Sequence, residues 1–190
     1  MNSIFKAGLE IQEFLKNKKW SFCFIGGIVS LRWGQARMTQ DVDLSLFVQA
    51  GDEKKYVDAI LTTFKGRIPD ADNFAITNRV LLVSASNGVA ADISLADLPF
   101  EKQMIERATP FEFCSGCKLI TCSAEDLIVL KAFADRPQDW MDVESIIIRQ
   151  EKLDTEYITK ELSPLCEAKE SPEILKKLQI LIDNIRKKKT

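Results

Sequence analysis

GGIVSLRWGQARMTQDVDLSL, residues 26–46, holds the pattern on which the fold turns. Two glycines follow the short apolar run SFCFI, and two aspartates separated by one residue open a second apolar run. Read as a strand, DVDLSLFV alternates with period two. Asp41, Asp43 and Ser45 then share one face, and Val42, Leu44, Leu46 and Val48 share the other.

Two carboxylates side by side need a reason. At about 4 Å they repel by about 4 kcal/mol for an effective dielectric of about 20. A divalent cation turns that repulsion into attraction, and ligation by oxygen alone suits Mg²⁺ or Mn²⁺. A third carboxylate is at hand: in VAADISL, Asp92 interrupts an apolar strand whose Ala91, Ile93 and Leu95 face the other way. If this strand lies beside the first, Asp92 joins Asp41 and Asp43. Three carboxylates hold two Mg²⁺ ions about 3.5–4 Å apart, an arrangement that serves in-line phosphoryl transfer. Taken singly, each Asp reads more simply as a strand end or a solvated face; it is the three together that give the metal reading equal standing.

Composition narrows the chemistry. The 190 residues carry 26 Lys and Arg against 28 Asp and Glu, with a pI near 5.4, so no global positive field recruits nucleic acid. There is no histidine, which excludes Ser-His-Asp triads, Cys-His dyads, HExxH zinc sites and histidine bases together. Five cysteines, an odd number, fit a reducing compartment. No run approaches the roughly twenty apolar residues of a membrane span, and the N-terminus lacks a signal-peptide core; the expected location is the cytoplasm.

Periodicity supplies the rest of the frame. Helices are expected over 3–18, 52–64 and about 99–107, with a helical turn or two in IVSLRWG. KGRIPDADNFAITN reads as loop. VLLVSAS and VAADISL are strands joined at Asn87-Gly88, a strong hairpin signal, and FEFCSGCKLITC forms a second hairpin. Ser123 and Asp126 resemble a capping box before the helix EDLIVLKAFAD, and Pro137 suits the first turn of PQDWMDVESIIIRQ. Two more helices follow, from about 155 and 172. The fold class expected is α/β (α+β), a small mixed sheet flanked by helices. Residues 1–122 form its core, and 123–190 a helical part packed on that core.

Gly26-Gly27 lies between a strand and a helix, where backbone N–H groups can approach a phosphate closely. Ser30, one turn on, adds a hydroxyl. Lys131 shares a face with Leu127, Leu130 and Ala134 in a helix apolar nearly all round, and a buried lysine needs an anionic partner. A triphosphate or the Asp cluster would serve. Asp139 and Asp142, three apart, share the face of the next helix.

GGIVSLRWGQARMTQDVDL resembles the signature of the nucleotidyltransferase superfamily, the DNA polymerase β-like fold: a Gly-Gly or Gly-Ser pair, a spacer, then Asp-hydrophobic-Asp. Arg37, Thr39, Asp41 and Asp43 as Arg-x-Thr-x-Asp-x-Asp are similar to its AbiEii-type branch, which includes toxins of toxin–antitoxin and phage-defence systems. SAEDLIVLKAFADRPQDWMDV resembles the same branch's downstream motif, with Lys on one helix and Asp on the next. The likeness spans roughly residues 20–148. It departs at Gly27, where many members carry Ser, at the long spacer, and at Gln138, where relatives often place Lys.

The resemblance implies transfer of a nucleoside monophosphate from an NTP such as ATP to an acceptor hydroxyl, releasing pyrophosphate. In it Asp41 and Asp43 hold both metals, while Asp92 completes one metal site and helps deprotonate the acceptor. Gly26, Gly27 and Ser30 cradle the triphosphate, and Lys131 and Arg37 offset its charge. Thr39 belongs to the nucleotide-binding set, and Asp139 and Asp142 orient Lys131 or the acceptor. The acceptor implied is RNA such as tRNA, or a protein, and a cognate partner protein is implied by the toxin branch. A small molecule such as an antibiotic, or a silent nucleotide- or partner-binding module, are the alternatives.

Other motifs carry less. Cys114 and Cys117 in CSGC need further ligands to hold zinc, and Ser-Gly is a good turn. IRKKK complements a helix macrodipole or touches an RNA backbone. The DVDLSL run also resembles the first motif of haloacid-dehalogenase-type phosphatases, without their downstream acidic pair, and the DxD of glycosyltransferases, which leaves the glycines unexplained.

Overall fold

The alternation in DVDLSLFV becomes strand β2 (Asp41–Phe47) in the computed structural model of the chain, which describes residues 2–189. Val42, Leu44 and Leu46 are fully buried, whereas Asp41 and Asp43 on the other face are half-buried. Among the described residues seven strands make one mixed sheet. They are β1 (Phe22–Phe24), β2, β3 (Lys65–Gly66), β4 (Val80–Ser84), β5 (Ala90–Ala96), β6 (Thr109–Cys114) and β7 (Cys117–Thr121), in the order β3-β4-β5-β2-β1-β7-β6. Strand β2 runs antiparallel to β1 and parallel to β5, and β4 and β5 form the hairpin signalled by Asn87-Gly88. Gly88 takes φ +81° in that turn, a conformation that favours glycine.

The chain divides into two units. A sheet unit comprises residues up to Val29 together with Met38–Cys122, and a helical unit comprises Ser30–Arg37 with everything from Ser123. In the sheet unit, α1 (Ser3–Asn17) is capped by Asn2 and packs on β2 and β7, and α5 (Pro99–Arg107) packs on β1 and β2. Buried Gln12 of α1 reaches into the sheet. Its Nε2 donates to the Lys118 carbonyl at 2.7 Å, and its Oε1 accepts from the Ile120 N–H at 2.9 Å. Strand β1 pairs with β7 only at Phe24↔Thr121, so this amide serves main-chain groups that no long neighbouring strand reaches. Trp20 packs on Tyr56 at 4.4 Å between ring centres, beside helix α3 (Glu53–Leu61), to which Tyr56 belongs.

Residues 65–78, expected as loop, instead contain strand β3 and helix α4 (Ala71–Asn78). The helix has no apolar stripe for a pattern to reveal; it is seated by buried Ala71 and Ala75, one turn apart. Both its flanking residues, Asp70 and Arg79, are left-handed, at φ +57° and +55°. Arg79 is held there by its guanidinium, which donates to the Leu95 carbonyl and pairs with Glu53 and Asp97. Helix α2 (Gly26–Trp33) likewise begins two residues earlier than the apolar pattern indicates, taking both glycines into its first turn.

The helical unit contains α6 (Ala124–Ala134), α7 (Pro137–Arg149), α8 (Thr155–Ala168) and α9 (Glu173–Lys189). Ser123 caps α6 by accepting from the Asp126 N–H at 3.1 Å and donating to its carboxylate at 2.7 Å. Tyr157 donates a further bond to Asp126 at 2.7 Å. The end of α2 is fixed to α7: Gln150 donates to the Trp33 carbonyl, Arg149 to that of Gly34, and the Gln35 N–H to Ser145 Oγ. In the basic C-terminal run, the side chains of Lys188 and Lys189, and Thr190, lie outside the described residues. Among the described residues no helix is long and apolar enough to cross a membrane.

Candidate active site

In the sheet unit, parallel pairing of β2 with β5 sets Asp43 directly opposite Asp92, with Asp41 two residues before Asp43 on the same face. The adjacency comes from strand order, and the shared face from the alternation of each strand. Thr39 donates from Oγ1 to Asp41 Oδ1 at 3.2 Å, fixing the carboxylate at the strand's entrance. Burial raises the pKa of Asp92; the charge of Arg67 opposes that rise, and the charge of Asp41 adds to it.

The glycines belong to the same corner. The Gly27 N–H points at Asp43 Oδ2, 3.4 Å away. Gly26 sits at φ +65°, and a Cβ there would lie 2.5 Å from Asp43 Cγ and 2.7 Å from its Cβ. A glycine is therefore required twice over, by backbone conformation and by the closeness of the carboxylate. The first turn of α2 thus presents backbone N–H groups beside the acidic pair.

One residue of this corner escaped the sequence: Arg67, which follows β3 and whose guanidinium forms an ion pair with Asp92 Oδ1. The only local signal is the two-residue spacing of Lys65 and Arg67, which carries meaning once that stretch is known to be an edge strand. Donor chemistry here fits a hard divalent cation, with carboxylates in register on neighbouring strands. As arranged, no group of three or more acidic or thiol side chains among the described residues converges to hold a metal ion. Arg67 already occupies Asp92.

The helical unit gathers a second set of the expected residues. Lys131 Nζ, in α6, lies 2.6 Å from Asp142 Oδ2 and 3.3 Å from Asp139 Oδ1, both in α7. All three are buried, at 5, 4 and 2% exposure for Lys131, Asp142 and Asp139. Arg37 adds a bidentate contact to Asp142 at 2.9 Å, Arg136 binds Asp139 at 2.5 Å, and the buried Ser30 hydroxyl donates to Asp142 at 3.4 Å. Burial pushes the Asp142 carboxyl up, but hydrogen bonds from Arg37 and Lys131, with their charges, outweigh it and hold it below the usual range. Three cations thus serve two carboxylates, and the anionic partners of Lys131 are Asp139 and Asp142. Arg136 was not anticipated; its signal is the Arg-Pro-x-Asp spacing across the start of α7.

The CSGC turn closes the β6–β7 hairpin, with Cys114 paired opposite Cys117 and Gly116 at φ +75°. Burial, with Cys114 as neighbour, pushes the Cys117 thiol up to about 11, which disfavours a reactive thiolate.

Solved structures share this architecture. An antigenic nucleotidyltransferase-like protein from Paracoccidioides brasiliensis superposes with a TM-score of 0.54 at 15% identity, over 91% of this chain and 92% of that one. The lincosamide antibiotic adenylyltransferase LnuA, lincomycin-bound, superposes with a TM-score of 0.50 at 15% identity, over 74% of this chain and 94% of that one. At such identities the likeness speaks for the fold alone. Among curated proteins no sequence relative is found. The family model described as nucleotidyl transferase of unknown function (DUF2204) matches residues 5–180, nearly the whole chain, and the protein belongs to that nucleotidyltransferase family.

Proposed function

We propose that this chain is a divalent-metal-dependent enzyme that moves a nucleoside monophosphate from an NTP to the hydroxyl of a macromolecule, RNA such as tRNA or a protein. The observation that carries the reading is the register of Asp43 opposite Asp92, with Asp41 two residues away on the same face. Asp41, Asp43 and Asp92 would hold Mg²⁺ or Mn²⁺, which when bound neutralises phosphate charge and lowers the pKa of the attacking hydroxyl.

The chain's own groups divide the remaining work. Asp92, with its raised pKa, takes the acceptor's proton in a chain that has no histidine to do so. The acceptor oxygen forms a bond to the α-phosphorus while the bond to the bridging oxygen breaks, and pyrophosphate leaves with the electron pair. The first turn of α2, at Gly26 and Gly27, brings its backbone dipoles beside the carboxylates, and the Gly27 N–H, which is directed at Asp43, would exchange that weak contact for a phosphate oxygen. Positioning and electrostatics supply most of the acceleration in such a reaction.

The similarity of Arg37-x-Thr39-x-Asp41-x-Asp43 to the AbiEii-type branch supports a macromolecular acceptor and a toxin or phage-defence role with a cognate partner. A small hydroxyl compound is the second reading, favoured by the fold shared with the lincosamide adenylyltransferase. The test incubates the protein with Mg²⁺, each NTP labelled at the α-phosphate, and bulk tRNA, cell lysate or lincomycin. Asp43→Ala is the control. Label in RNA or protein with the wild type only supports the proposal. Label in lincomycin alone replaces the acceptor, and no pyrophosphate release with any acceptor leaves a silent binding module.

A further inference from the structure

Arg67 lies in a row that crosses the sheet. Its N–H donates to the Leu82 carbonyl at 3.0 Å, continuing the pairing of β3 with β4. Leu82 is opposite Asp92, and Asp92 is opposite Asp43. Side chains at matched positions of neighbouring strands share a face, so Arg67, Leu82, Asp92 and Asp43 line up on the half-buried side of the sheet. Strands stand about 4.8 Å apart, so a side chain reaching from β3 to β5 spans about 9.6 Å, which only a long one can do. Arg67 does this, passing over Leu82 to meet Asp92 Oδ1.

The carboxylate oxygen it meets belongs to the group proposed above as a metal ligand and proton acceptor. A guanidinium and a divalent cation on one carboxylate repel each other, so one displaces the other. Arg67 follows a two-residue edge strand, and its side chain remains 30% exposed. It can therefore swing to solvent without unpacking the core.

We propose that Arg67 is the resident counter-ion of the catalytic carboxylates: it positions Asp92 and competes with the divalent cation for it, so that metal entry requires its release. This rests on the metal-dependent reading of the site, and its test separates the two. Mn²⁺ binding to the full chain is measured without nucleotide, from the paramagnetic resonance signal of free Mn²⁺. The proteins compared are wild type, Arg67→Gln, Arg67→Met, which keeps an apolar stem over Leu82, and Lys65→Gln. The last removes a cation from the same edge strand without touching the Arg67–Asp92 pair.

Both Arg67 variants are expected to bind Mn²⁺ about fivefold more tightly than wild type, the upper end of the scale for one lost, partly exposed ion pair. Lys65→Gln should change affinity by less than about threefold. Equal affinity in wild type and the Arg67 variants overturns the competition and leaves the metal site standing. An equal gain in Lys65→Gln also overturns it, because the effect is then one of net charge. Absence of Mn²⁺ binding in every protein removes the metal reading and the competition together. Thermal melts of the four proteins confirm that each compared sample is folded.

Discussion

Asp43 and Asp92 face each other across a parallel strand pair, two carboxylates where cross-strand neighbours ordinarily attract or are apolar. Like charges so placed cost stability, and with Arg67 offsetting the Asp92 charge the cost is under about 1 kcal/mol. Asp43→Asn keeps the shape and an oxygen to accept from the Gly27 N–H while removing one charge. It is expected to raise the melting temperature by about 1–2 °C in the presence of chelator and to abolish nucleotidyl transfer. A variant that melts lower than wild type, or that retains transfer, contradicts the assignment.

Gly26→Ala tests the same corner from the other side. A methyl group there meets Asp43 at once, and the left-handed backbone alone costs about 1–2 kcal/mol. The expected result is a loss of more than about 2 kcal/mol in denaturant unfolding, with loss of activity because Asp43 is displaced. Gly88→Ala is the comparison: its φ is also positive, but no atom beyond its own chain neighbours lies within 4 Å of the added carbon, so only the backbone cost should appear.

The part of this architecture written locally was legible. DVDLSLFV alternates cleanly because one face is buried and the other is not, Asn87-Gly88 marks its own hairpin, and Ser123 caps the helix it precedes. Strand order is different: Asp43 meets Asp92 because β5 returns parallel beside β2, and no local pattern reports which strand lies beside which. The Lys65–Asn78 stretch hid both β3 and α4, since two alanines and two left-handed termini replace an apolar stripe. Arg67 was lost with it. For Lys131 the need for an anion was readable from its apolar helix, while the choice among candidate partners required the packing of α6 against α7.

Gln12 is a buried polar side chain whose amide completes main-chain bonding at β7. Gln12→Leu keeps the approximate volume but leaves the Lys118 carbonyl and the Ile120 N–H without that partner. Two part-buried groups that lose this partner are expected to cost about 1–2 kcal/mol together. Hydrogen exchange should show faster exchange at the Ile120 amide than in wild type; an unchanged rate would mean that the amide is protected by something else.

Only Cys114 among the five cysteines is half-exposed; Cys23, Cys117, Cys122 and Cys166 are buried. With its thiol raised to about 11, Cys117 is almost entirely protonated at a pH of about 8. Brief treatment of the native protein with iodoacetamide at that pH should add one label, on Cys114, with the others reacting only after denaturation. Rapid labelling of Cys117 would contradict its burial.

The buried network around Lys131 sets a pH signature. Asp142 has a lowered carboxyl pKa in the folded chain, so its contribution is complete above the unfolded value of about 3.9 and is lost as pH falls through the lower, folded value. Asp142→Asn removes a partner of Lys131 and of Arg37 and is expected to cost about 3–5 kcal/mol near neutrality. Below about pH 4 the wild-type carboxyl is itself taking up protons, so the gap between variant and wild type should narrow steadily there. Denaturant midpoints between about pH 2.5 and 7 measure the gap. A constant difference across that range would show that the Asp142 charge contributes nothing and that the variant acts through packing alone.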